Sequence, residues 1–92
     1  MSRLTEQELT MALQERTDWS IADDMLTRTF EFADFLAAII FVDRVAVAAE
    51  EAQHHPDIDI RYNRVRIALT THDDGGISAK DLQLADRLDR LA

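Results

Sequence analysis

The chain has 92 residues, 47% of them hydrophobic, no cysteine and a formal net charge of −8 at pH 7. That length suits one domain over residues 1–92, small enough to gain from burying further surface in an oligomer. The acidic balance repels phosphate and so argues against direct nucleic-acid binding, and the lack of cysteine removes thiolate and disulfide chemistry.

A cysteine-free chain also suits a reducing cytoplasm, the compartment expected here. The Met1 end lacks the basic-then-apolar pattern of a signal peptide. The longest apolar run, Phe35 to Val42, is far short of the roughly 20 residues that a membrane span requires.

In chain order, Leu4-Thr5-Glu6-Gln7-Glu8-Leu9 carries a helix start. Thr5 can cap while Glu8 reaches back to it, and Leu4 can staple on Leu9. The helix is expected to reach about Arg16, with Leu9, Ala12 and Leu13 inward. Asp23-Asp24 marks a turn after the apolar Trp19–Ile21 patch. Met25 to Phe32 then alternates with β-branched and aromatic residues, which predicts a strand without a cleanly apolar face.

Ala33 to Gln53 holds no proline or glycine and predicts one long helix. At about 100° per residue, Phe35, Ala38, Ile39, Val42, Val45, Ala46 and Ala49 share the expected core flank. Ala37, Ile40, Phe41, Val47 and Ala48 lie well round the cylinder. A helix apolar on both flanks needs two burials, and a second subunit is the natural source of the other.

All three histidines of the chain gather near the end of this helix and the end of a later strand. They are His54 and His55 in Glu50-Glu51-Ala52-Gln53-His54-His55-Pro56, and His72 in Thr71-His72. Histidine changes charge nearest neutrality, so the cluster points to proton transfer. Asp43, Glu50 and His54 fall within about 40° on the wheel, and Glu50 at i,i+4 is placed to orient the His54 imidazole. The same spacing also describes a solvated acidic edge with a histidine favourable to the helix dipole. Pro56 pushes His55 towards extended geometry, so the two neighbours are expected to point apart.

Ile58, Ile60 and Tyr62, then Val65, Ile67 and Leu69, alternate with polar or small residues. The parity changes across Asn63-Arg64, which predicts a two-residue hairpin turn there. Asp73-Asp74-Gly75-Gly76 reads as a loop, with too few glycines for a phosphate cradle. Ser78-Ala79-Lys80-Asp81 resembles a capping box, Ile77 can staple on Leu82, and a last helix buries Leu82, Ala85, Leu88 and Leu91. On this reading Asp81 is a first-turn acid that suits the helix dipole.

No H-x-H or H-x-x-x-H spacing is present, and adjacent histidines serve one metal poorly, so no metal site is predicted. The serines and threonines lack a nucleophile-elbow context. Imidazole acid–base chemistry, tuned by a carboxylate, is what remains.

The run Glu50-x-x-x-His54-His55-Pro56, then Tyr62-Asn63-Arg64-Val65, then Thr70-Thr71-His72-x-x-x-Gly76-Ile77-Ser78-x-x-Asp81-x-x-Leu84-Ala85 resembles the pterin-4a-carbinolamine dehydratase family. Asp18-Trp19 and Phe30-x-Phe32-x-Asp34-Phe35 are similar too, so the likeness covers nearly the whole chain. One departure is Gln53, where an acid can precede the histidine pair. The resemblance implies an α+β fold, an antiparallel β-sheet with helices packed on one face, built into homodimers or homotetramers. It implies a cofactor-free hydro-lyase that dehydrates 4a-hydroxytetrahydropterin to quinonoid dihydropterin, in the recycling that serves aromatic amino-acid hydroxylases. Under that resemblance His54 and His72 are the expected acid–base pair and Glu50 orients His54. His55 is then expected to hold the pterin by hydrogen bonding, Thr71 to contact it through backbone or hydroxyl, and Trp19 to be either a pocket wall or a plain core aromatic. The competing role, also implied by the family, is a protein-binding module that serves as dimerisation cofactor of a transcription factor. In that case Ile40, Phe41 and Val47 face a partner.

Overall fold

A computed structural model describes residues 2–92. Its first helix, α1 (Glu6–Gln14), begins with the expected reciprocal cap: the Thr5 hydroxyl accepts from the Glu8 N–H and the Glu8 carboxylate accepts from the Thr5 N–H. A short strand, β1 (Ser20–Ala22), then turns into β2 (Met25–Glu31) through Asp23 and Asp24. Both turn residues take positive φ, 53° and 62°, as a tight two-residue hairpin requires. No strand is predicted at Ser20–Ala22 from the sequence pattern. Three residues carry too little periodicity to announce themselves.

Helix α2 (Phe35–Ala52) starts where the Asp34 carboxylate accepts from the Ala37 N–H. Strands β3 (Asp57–Arg61) and β4 (Arg64–Leu69) follow, then a 3₁₀ turn at His72–Asp74 and helix α3 (Ala79–Leu91). The hairpin turn between β3 and β4 is Tyr62–Asn63, one residue earlier than predicted. Tyr62 takes φ 52°, while the Asn63 side chain donates to the Phe32 carbonyl, which leaves Arg64 free to pair with Arg61.

The four strands form one antiparallel sheet in the order β1-β2-β4-β3. Register places Leu26 beside Leu69 and Phe30 beside Val65, so one sheet face is apolar. Against it pack α2, through Ala38, Phe41, Val45 and Ala48, and α3, through Leu84, Ala85 and Leu88. The core flank of α2 therefore differs from the predicted one. Phe41 and Ala48, placed on the far side by the wheel, are inside, while Phe35 is half exposed and Ala46 exposed. Both flanks were apolar, so periodicity alone could not choose between them. Exposed Phe35, Leu36, Ile40 and Val47 are the flank left over. In α3 the buried set is Leu84, Ala85 and Leu88, with Leu82 and Leu91 only partly covered.

Arg28 shares the parity of the apolar face of β2, which explains the imperfect alternation seen in the sequence. Its guanidinium lies 4.1 Å from the Phe30 ring centre and donates to Asp89 of α3 at 2.7 Å. The charge sits at the rim, paired and stacked.

Candidate active site

Two chain reversals bring the histidines together. At the end of α2 the Gln53 N–H donates to the Glu50 carbonyl and the His54 N–H to the Ala49 carbonyl, with Gln53 at φ 50°. This is a Schellman closure with a left-handed residue that is usually glycine. It swings His54 back under the helix and sends His55 outward.

The second reversal follows β4. Thr71 and Gly76 exchange backbone hydrogen bonds across the 3₁₀ turn, and Gly75 closes that turn at φ 76°. His72 thereby stands exposed beside the α2 terminus. His54, His55, Thr71, His72, Asp73 and Lys80 line one open hollow of about 290 Å³.

Beneath the hollow lies a buried polar chain. The His54 Nε2 is 2.5 Å from Asp81 Oδ1, and Asp81 has no exposed surface. The other oxygen, Oδ2, accepts from the Thr71 hydroxyl at 2.8 Å and from the Ser78 N–H at 2.9 Å. Thr71 has one hydroxyl hydrogen and gives it to Asp81, so the 2.7 Å contact between the two hydroxyls runs from Ser78 to Thr71. The Ser78 oxygen accepts in turn from the Lys80 N–H. Every member is satisfied, as a buried network must be.

That chain makes Oδ2 an acceptor, and with Asp81 as a carboxylate Oδ1 accepts as well. His54 then carries its hydrogen on Nε2, and Nδ1 is the ring nitrogen without a protein partner among the described residues. Breaking a buried ionic network at one member is destabilising, and this one also fixes the orientation of the His54 ring.

The pairing expected from the sequence is thus corrected. Glu50 does not orient His54; its carboxylate bonds His55 Nε2, and both side chains are well exposed. The left-handed turn at Gln53 breaks the i,i+4 relation on which that expectation rested. Thr71 was expected to touch substrate through its hydroxyl or backbone. Its hydroxyl serves Asp81, its N–H donates to Gly76, and its carbonyl accepts from Asp74 and Gly76.

Of the two readings of Trp19, the structure shows the core aromatic and not the pocket wall. It is buried edge-on to Phe30, its indole N–H donates to Asp89 at 2.9 Å, and it is not among the residues that line the hollow. The residue whose weight the sequence reading missed is Asp81, seen there as a helix cap. The cap exists, and the same carboxylate also holds His54.

No group of three or more His, Cys, Asp or Glu side chains among the described residues is arranged to hold a metal ion. No helix among them is long and apolar enough to cross a membrane.

Comparison with known proteins gives a consistent result. Residues 2–91 match the family model described as pterin 4 alpha carbinolamine dehydratase. A relative from Chloroflexus aurantiacus is 56% identical over 91 residues, covering 99% of this chain and 98% of its own. One from Thermomicrobium roseum is 51% identical over 92 residues, covering 100% of this chain and 99% of its own. Both are named, provisionally, as pterin-4-alpha-carbinolamine dehydratases. Among solved structures, a transcriptional coactivator/pterin dehydratase from Brucella melitensis superposes with a TM-score of 0.94 at 36% identity, covering 99% of each chain. A pterin dehydratase-like protein identified as a RuBisCO assembly factor in the alpha-carboxysome gives a TM-score of 0.72 at 27% identity, covering 82% of this chain and 89% of that one. By sequence over nearly its whole length and by fold, the chain belongs to the pterin 4 alpha carbinolamine dehydratase family.

Proposed function

We propose that the protein dehydrates 4a-hydroxytetrahydropterin to quinonoid dihydropterin by histidine acid–base catalysis, without a cofactor or metal. The observation that carries this reading is the buried Ser78–Thr71–Asp81–His54 chain opening into a hollow that His72 also lines.

In the reaction the C4a–O bond breaks as the adjacent ring nitrogen forms a double bond to C4a. One proton goes to the departing hydroxyl, one ring N–H proton is lost, and water is the net product. His54 accepts the N–H proton on Nδ1, and the Asp81 carboxylate stabilises the imidazolium that results, as in a triad. His72, with no side-chain partner among the described residues, supplies the proton to the hydroxyl. Each transfer is worth about 10²–10⁴-fold. His55, steered by Glu50, holds the pterin by hydrogen bonding.

The role follows as tetrahydropterin recycling beside an aromatic amino-acid hydroxylase, in the cytoplasm. Exposed Phe35, Leu36, Ile40 and Val47 support a homodimer or homotetramer.

The test is the decay of 4a-hydroxytetrahydropterin with purified protein and no added metal. Acceleration above the spontaneous rate is expected, and its loss in His54→Ala and His72→Ala. No acceleration would end the dehydratase reading.

A second reading, a protein-binding module, rests on the same exposed α2 residues and on the names of the two structural neighbours. Sedimentation of the protein alone and with a candidate partner separates the two: a self-associated mass unchanged by the partner favours the enzyme.

A further inference from the structure

Beside the histidine-lined hollow lies a second one of about 230 Å³, lined by Ala52, His54, Lys80, Gln83, Leu84 and Arg87. The two share His54 and Lys80. The chain has 18 acidic residues against 10 basic ones, yet no carboxylate lines this second hollow.

Lys80 is the only lysine of the chain and the second residue of α3. A cation in a first turn opposes the helix dipole, at a typical cost of about 0.3–1 kcal/mol. No carboxylate among the described residues pairs with it to offset that cost. Such a broken local rule is most often found where function needs it.

Lys80, Gln83, Leu84 and Arg87 follow one another at helical spacing along a single stripe of α3. Arg87 reaches Glu51 through one terminal nitrogen, Nη2, and the rest of its guanidinium has further donors to offer. A third hollow, which shares Thr70 and His72 with the first, is lined in part by Asp23 and Asp24, with the Arg3 guanidinium bonded to the Gly75 carbonyl.

We propose that the second hollow is a subsite for an anionic substituent, a carboxylate or a phosphate, on the pterin whose ring occupies the first. The proposal rests on the dehydratase reading for its substrate. Lys80 stands at the junction of the hollows and Arg87 at the far end, so the ring passes His54 and its charged tail continues along α3.

The experiment compares kcat/KM for three 4a-hydroxytetrahydropterins bearing a neutral polyol, a carboxylate or a phosphate ester on the ring-6 substituent. The wild type is expected to favour the charged substrates by about tenfold, the effect of one charge-assisted contact pair. Whichever charged arm exceeds the other identifies the anion. Lys80→Met and Arg87→Gln should each lower the preference, the double variant should bring it close to one, and Lys80→Arg should retain it. A ratio within one folded protein is insensitive to how much of a variant folds. A wild-type ratio near one, or a ratio unmoved in the double variant, overturns the subsite.

If even the neutral substrate is not dehydrated, it is the dehydratase reading that fails. Titration of the wild type and Lys80→Met with inorganic phosphate then decides the subsite alone. Amide shifts at Gln83 and Arg87 in the wild type only support it, and their absence overturns it.

Discussion

His54 and His55 are neighbours in the chain and opposites in their surroundings. The His54 side chain is 13% exposed and bonded to a carboxylate with no exposure, itself held by two further donors. His55 is 64% exposed and bonded to a carboxylate that is 75% exposed. Both have an acid on Nε2, yet the two pairs differ in kind. Around His54 the acid is immobile and shielded from water, so it selects one tautomer and one ring orientation. Around His55 the partner lies in solvent, where such a pair contributes about 1 kcal/mol at most. What distinguishes the imidazole proposed to do the chemistry is the support behind its carboxylate.

The sharpest way to break this contrast is Asp81→Asn. The asparagine carbonyl can still accept from Thr71 and Ser78, which leaves its NH₂ facing His54 Nε2 and forces the ring hydrogen to Nδ1. Turnover is expected to fall about 10²–10⁴-fold while the protein remains folded. Single-turnover decay of the carbinolamine measures the loss, and imidazole nitrogen shifts report the tautomer; full activity with a switched tautomer would refute the role given to Nδ1. His54→Ala should lose turnover in the same range, whereas His55→Ala should raise KM with kcat nearly preserved.

Thr71→Val tests the layer beneath. It removes the donor to Asp81 Oδ2, and the expected cost is about 1–3 kcal/mol, with Tm falling roughly 4–8 °C for each. Thr71→Ser keeps the hydroxyl and should recover most of that loss in a thermal melt. The smallest effect belongs to Glu50→Gln, expected to change stability by less than about 1 kcal/mol and to leave kcat close to wild type. A collapse of turnover in that variant would restore Glu50 to the His54 role.

Much of the fold was legible because local rules and global packing agree. The reciprocal caps at Thr5–Glu8 and Ser78–Asp81, the β3–β4 hairpin and the long α2 all follow from short-range patterns. The core flank of α2 was not, since a helix apolar on both sides leaves the choice to tertiary contacts that no wheel contains. The site was legible as a set of histidines and illegible as a set of pairs. Glu50 matched His54 by helical spacing, and that spacing ended one residue too early, at the left-handed Gln53. Asp81 lies 27 positions from His54, beyond any local rule, and its capping duty offered a sufficient account of its presence. Trp19 stayed undecided between wall and core for a similar reason, because its indole finds Asp89 seventy positions away.

The double duty of Asp81 has a consequence for comparing relatives. One carboxylate both starts α3 and holds the imidazole, so a descendant that gave up dehydration for a purely binding role would still lose stability on discarding it. Selection on folding alone can retain that aspartate long after the chemistry has gone. The histidine it faces caps no helix, and although its loss unpairs the buried carboxylate, under the proposed mechanism its replacement is the better marker that a homologous chain has stopped turning over substrate.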